Sequence, residues 1–287
     1  MSRREFVAAV GSAPLATSLP VSAAPHPAAL AVNPAVLTGR AGGWPLAELA
    51  ATGFRAIEAP VAALERPDAW RPEMERAGLS LLGVDAMPEL RPYLTGNLHD
   101  GVAWRRRDTI DRLKRAMERM PAFGARFLVV APGRLAENYQ TPAEARALLV
   151  DALREIAGAG PAEVLLCSAP FRLFGGAGEI ASIVEEAARP NVAAALDLGH
   201  ALLAGENPAA AARALGARLR YVQLHDADVR PGAPRLDRHL VPGTGALRRE
   251  EALDAIGDRP VCVNVAAPED PLTAARAALE WLSAPQG

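Results

Sequence analysis

The stretch YVQLHDADVRPGAPRLDRHLVPGTG, residues 221–245, sets His225, Asp226, Asp237 and His239 behind a short apolar run and closes on Pro-Gly-x-Gly. Three of the five histidines, His200, His225 and His239, fall between residues 200 and 239. Imidazoles beside carboxylates can move protons near neutral pH or hold a divalent ion. His200, His225, Asp226 and His239 are therefore the candidate acid/base groups. Asp197 ends an apolar run, where a bare carboxylate is costly, so it calls for a cation or several donors nearby. Lysine occurs once, as Lys114 in the charged run RRRDTIDRLKR. That excludes Schiff-base chemistry, which needs a lysine at the site.

These residues need elements to position them. Short apolar runs alternate with alanine-rich helical stretches. The expected strands are 28–32, 54–60, 79–86, 125–132, 162–169, 192–199, 219–226 and 260–267. Eight helical stretches follow them. Gly53 is an expected C-cap, Thr141 with Glu144 a capping box, and Asn207 and Asp270, each before proline, are N-caps. Eight such pairs predict an α/β fold, a single (β/α)8 TIM barrel over residues 28–284. A doubly wound sheet would want a glycine-rich phosphate loop after its first strand; AVNPAVLTGRAGG is a poor match, and no nucleotide cofactor is expected.

Barrel sites form where the strands end. Glu58, Asp85, Cys167, Asp197, Gln223, His225, Asp226 and Asn264 stand there, His200 just beyond, and Asp237 and His239 in the loop after the seventh strand. Glu58, Cys167, Gln223 and Asn264 are the candidate substrate contacts. Side chains alternate along a strand, so Asp197 should share the interior with Ala195 and Ala193, Gln223 with His225, and Cys262 with Asn264.

The balance of 31 basic and 33 acidic residues, net −2, and 5% aromatics argue against a nucleic-acid partner. Cys167 and Cys262 lie in separate apolar runs and read as buried thiols. Residues 1–24 open with Ser2-Arg3-Arg4-x-Phe6 and reach small residues at Ala23 and Ala24, the pattern of a twin-arginine signal peptide; periplasmic export is the expectation. No other run is apolar enough for a membrane span.

With these residues placed, the chain resembles the xylose isomerase-like TIM-barrel superfamily, which includes sugar phosphate isomerase/epimerases and AP-type endonucleases. NVAAALDLGHALLAGENP is similar to its strand ending in Asp-x-x-His, LRYVQLHDAD to its His-x-Lys-Asp strand, and DRHLVPGTGAL to its Asp-x-His loop. PVCVNVAAPEDPLTAARAALEWL is similar to its last strand and helix. The resemblance implies an isomerase, epimerase or lyase acting on a sugar, keto-sugar or cyclic polyol, and a possible homodimer. It also implies one divalent ion held by Glu, Asp, His and Glu. Carried here, those positions are Cys167, Asp197, Gln223 and Asn264, of which only the aspartate keeps its type. His200, Asp237 and His239 match a second ligand group of the endonuclease branch, which makes Asp197, His200, Asp237 and His239 the candidate ligands for zinc or manganese. Alternatives stay open: sugar contact at these residues without metal, zinc held by the Cys167 thiolate with Asp197 and His225, and a non-catalytic carbohydrate binder.

Overall fold

In a computed structural model, residues 29–86, 97–133, 140–232 and 234–285 are described. The expected signal segment 1–24 lies outside them. Eight parallel strands close a barrel in sequence order: β1 (Leu30–Val32), β2 (Ala56–Pro60), β3 (Ser80–Asp85), β4 (Phe127–Val130), β5 (Glu163–Cys167), β6 (Val192–Asp197), β7 (Leu219–Leu224) and β8 (Val261–Val263), with β8 back on β1. The single (β/α)8 barrel read from the periodicity is what forms. Each strand sits inside its expected run, shortened at one or both ends where the ladder stops.

The helices are α1 (Pro34–Thr38), α2 (Leu46–Thr52), α3 (Arg71–Arg76), α4 (Ala103–Arg119), α5 (Pro142–Ala157), α6 (Ala177–Ala187), α7 (Leu198–Ala204), α8 (Pro208–Leu215), α9 (Arg249–Ile256) and α10 (Pro271–Ser283). Thr141 and Glu144 form the expected capping box, and Asn207 and Asp270 cap α8 and α10. Two short helices, α1 and α7, were not expected; their capping side chains, Asn33 and Asp197, lie in or beside strands. None of the described helices is long and apolar enough to cross a membrane.

Alternation splits the apolar residues into two layers. One face of each strand packs under the helices, with Leu128, Val164, Leu166, Ala194, Leu196, Val222 and Val263 among its members. The other fills the barrel with Ala31, Ala56, Leu82, Phe127, Leu165, Ala193, Ala195 and Tyr221. Small alanines face the bulky rings of Phe127 and Tyr221, whose centroids are 5.2 Å apart. Interior packing of this kind leaves most polar side chains toward the strand ends.

One irregularity matters for those ends. Between β2 and β3 the register slips: Ile57 pairs with Leu81 but Glu58 with Gly83. The extra residue, Leu82, faces the interior, Val84 turns outward, and Asp85 comes inside near Glu58. A bulge re-aims the side chains beyond it. At the opposite end of the barrel, Leu30 and Ser283 line one groove between α2 and α10.

Candidate functional site

The Asp-x-x-His motif is a helix cap. Asp197 ends β6 in extended conformation, and its Oδ1 accepts the His200 backbone N–H at 3.0 Å, starting α7. This fixes His200 in the first turn with its ring facing back over the barrel, Nδ1 3.7 Å from Asp197 Oδ2. Between them, Gly199 leaves room for the His225 ring, with which a Cβ at that position would collide.

Asp226 builds the next piece. Its carboxylate accepts the backbone N–H groups of Ala227, Gly243, Gly245 and Leu247 at 2.7–2.9 Å. Its backbone also pairs with Leu240 in both directions. A side chain committed to four donors is an anchor for the loop, so the proposed acid/base part for Asp226 finds no spare lone pair in this arrangement. The anchored loop returns Asp237 and His239 over the strand ends. His239 takes a left-handed backbone conformation, φ 49°, rare for a bulky residue and tolerated where the surroundings impose it.

Three imidazoles then converge. Nδ1 of His200 is 3.2 Å from the Ser168 carbonyl, that of His225 3.0 Å from Asp226 O, and that of His239 2.6 Å from Asn264 O. A carbonyl only accepts, so each Nδ1 is the N–H donor, and in the neutral ring the lone pair sits on Nε2. His200 Nε2 lies 3.0 Å from Asp237 Oδ2, and His239 Nε2 3.4 Å from Asp237 Oδ1. His225 Nε2 lies 2.8 Å from Asp197 Oδ1, yet off the hydrogen-bonding direction, so this buried nitrogen has no partner; Asp197 Oδ2 has none either. The rings of His225 and His239 stack at 4.0 Å.

One ligand atom from each of His200, His225, Asp237 and His239 lies within 4.8 Å of the other three. The cluster could hold a metal. Imidazoles whose second nitrogen is tied to a carbonyl, with a carboxylate among them, are what a divalent ion requires. Of the expected ligands, Asp197 stands behind this group, against His225, and His225 takes its place in the cluster.

Charge follows the same geometry. Burial works against ionised Asp197, but His200 and His225 outweigh it and hold the carboxyl down at about 2. Burial likewise opposes ionised Asp237, while His200 and His239, donating through Nε2 when protonated, hold it far below the usual carboxylate range. His200 is pushed up by Asp197 and Asp237 in spite of its burial.

The remaining candidates form a second group deeper in the barrel. Gln223 Nε2 donates to Glu58 Oε1 at 2.8 Å, and Cys167 Sγ lies 3.7 Å from Gln223 Oε1. Asn33 Nδ2 reaches Glu58 Oε1 at 3.2 Å and Asp85 Oδ2 at 3.3 Å. Both cysteines are buried free thiols, and burial pushes their pKa values well up. Asn264 gives its backbone carbonyl to His239, and its Oδ1 is buried without a partner. Lys114 pairs with Glu155 at 2.9 Å, between α4 and α5 on the outer ring. Asn33, Ser168 and Gly199 escaped the sequence reading. Only Asn33 carried a usable sign, the Asn-Pro step that also marks the cap of α8.

Residues 46–284 match the family described as xylose isomerase-like TIM barrel. No curated protein matches the chain. Among solved structures, 3-keto-D-glucoside 4-epimerase from E. coli, in its apo form, is similar with a TM-score of 0.68 at 18% identity over 88% of this chain and 98% of that one. A D-tagatose 3-epimerase-like protein reaches 0.73 at 20% identity over 88% and 97%. The IolI protein, solved with a zinc atom bound, reaches 0.68 at 17% over 89% and 98%. Identities this low carry the fold alone; the family match carries membership. The chain belongs to the xylose isomerase-like TIM barrel family.

Proposed function

We propose that this protein is a metal-dependent isomerase or epimerase of a sugar, keto-sugar or cyclic polyol, with its divalent ion, zinc or manganese, at His200, His225, Asp237 and His239. One observation carries the reading: three imidazoles, each with Nδ1 spent on a backbone carbonyl, and the Asp237 carboxylate bring one ligand atom apiece within 4.8 Å of one another. Supporting it, the similar folds include sugar epimerases and a zinc-binding protein. An ion there would polarise a carbonyl or hydroxyl oxygen of the substrate. Asp197 would offset the positive charge, the Asp226 carbonyl would orient His225, and Asp237 would add its carboxylate to the ligand set.

In this reading the family's usual ion position is dismantled. The side chains of Cys167, Gln223 and Asn264, a thiol and two amides, supply neither a carboxylate ligand nor a general base. They are suited instead to hydrogen bonds with hydroxyl groups. The same three side chains favour a second reading, a carbohydrate binder without turnover.

Metal analysis of tag-free protein tests the first reading: one zinc or manganese per chain, lost in His239→Ala, is the expected result. Absence of stoichiometric metal in wild type would sink it. A ligand-induced rise in melting temperature, with no conversion of ketohexoses or inososes by NMR, would select the binder.

A further inference from the structure

Among the described carboxylates at the strand ends, most are already committed. Asp226 holds four backbone N–H groups. Asp197 caps α7 and faces His225. Asp237 lies between two imidazoles. Glu58 caps no helix and anchors no loop, and no described imidazole is paired with it. It is wholly buried on β2, and its two oxygens are unlike. Oε1 accepts from both Gln223 Nε2 and Asn33 Nδ2, as a carbonyl oxygen would. Oε2 has no partner; the Tyr221 hydroxyl lies beside Glu58 without forming a proper bond to it. The Asn33 amide also donates to Asp85, so a second carboxylate stands across one shared NH2 group. Two negative charges this close and this buried disfavour ionisation of both.

Gln223 and His225 share a face of one strand, two residues apart, a rise of about 6.6 Å. Glu58, held by Gln223, therefore sits at the floor of the mouth that the histidine cluster rims. Resting on the function proposed above, we infer that Glu58 is the group that moves the substrate proton, its carboxylate taking hydrogen from the carbon beside a bound sugar's carbonyl and its acid form giving it back. The C–H bond breaks and an O–H bond forms on Glu58. The electron pair passes through the C–C bond onto the carbonyl oxygen, leaving an enediolate. Returned to the same carbon, the proton regenerates substrate; delivered to the neighbouring carbon, with the hydroxyl proton passing between the two oxygens, it gives the isomer.

The titratable groups facing Glu58 are Asp85 from β3, Tyr221 from β7, Cys262 from β8 and Cys167 from β5. Burial, and then the charge of Asp85, raise its carboxyl from the usual 4.5 to about 8, where a group can serve as base and acid in turn.

The test reads deuterium from heavy water into D-fructose and D-tagatose by NMR, for wild type and Glu58→Gln at measured metal content. Exchange slowed at least ~100-fold in Glu58→Gln, with metal unchanged, is expected. Undiminished exchange in that variant overturns the assignment and leaves the ion site standing. So does a wild type that holds its ion and binds either sugar without exchange. A wild type that exchanges through Glu58 with no ion keeps the assignment and removes the metal reading.

A second readout needs no substrate. Folded, Glu58 keeps its proton up to about 8, but unfolded only to about 4.5, so its contribution to stability falls as pH rises across that window. At equal metal content, wild-type melting temperature should fall more steeply there than that of Glu58→Gln; equal slopes overturn the assignment. Asp85→Asn, which removes the neighbouring charge, should move both the fall and the exchange profile to lower pH, and it decides the matter if Glu58→Gln does not fold.

Discussion

A side chain on residue 199 would occupy the space of the His225 ring, so the glycine of Asp-Leu-Gly-His is part of the imidazole arrangement without touching a substrate. Gly199→Ala should tilt or expel His225, take its Nε2 out of the cluster and weaken metal binding by ~10–100-fold, as losses in the surroundings of ligands do. Calorimetric titration with zinc, on protein shown to be folded by circular dichroism, measures this. Unchanged affinity would mean that His225 is no ligand. His239 is held by different means: a left-handed backbone and two main-chain contacts, from its ring to Asn264 O and from the Ala266 N–H to its own carbonyl. In both cases the positioning force comes from backbone groups, which carry no signature in the amino-acid alphabet. For that reason His200, Asp237 and His239 could be picked out by type and spacing, while the exchange of Asp197 for His225 in the converging set could not.

The loop between β7 and α9 stands on a single carboxylate. Asp226→Asn replaces one acceptor oxygen by an amide that must face N–H donors, so it should cost ~2–4 kcal/mol, on the scale of buried hydrogen bonds to charged groups. Because the loop carries Asp237 and His239, metal affinity should fall with stability, and urea unfolding alongside metal titration would show both losses or refute the anchoring role. The strands and most helices were legible because burial on both faces writes continuous apolar runs and because Asn-Pro, Asp-Pro and Thr-Pro steps mark caps. α1 and α7 were not. They are five and seven residues long, too short to show a helical period; the cap of α1, Asn33, went unread, and that of α7, Asp197, read first as a site residue. The Leu82 bulge was hidden for a related reason. Strict alternation would have turned Val84 rather than Asp85 inward, and only the ladder with β2 reveals the extra residue.

At the scale of the molecule, the Ser2-Arg3-Arg4-x-Phe6 opening leads us to propose export in the folded state, with any ion loaded beforehand. Replacing Arg3 and Arg4 by lysine should keep the protein in the cytoplasm, as read by fractionation; unaltered distribution would discard the proposal. Closure of β8 on β1 has a further consequence. Leu30, which opens β1, and Ser283, which ends α10, line one groove, on the side of the barrel away from the histidines. A short flexible tether could join these two positions, and new ends could then be opened elsewhere in the circle. Attached to a bead or carrier by that tether, the protein would present its histidine-rimmed rim outward, unobstructed by the attachment.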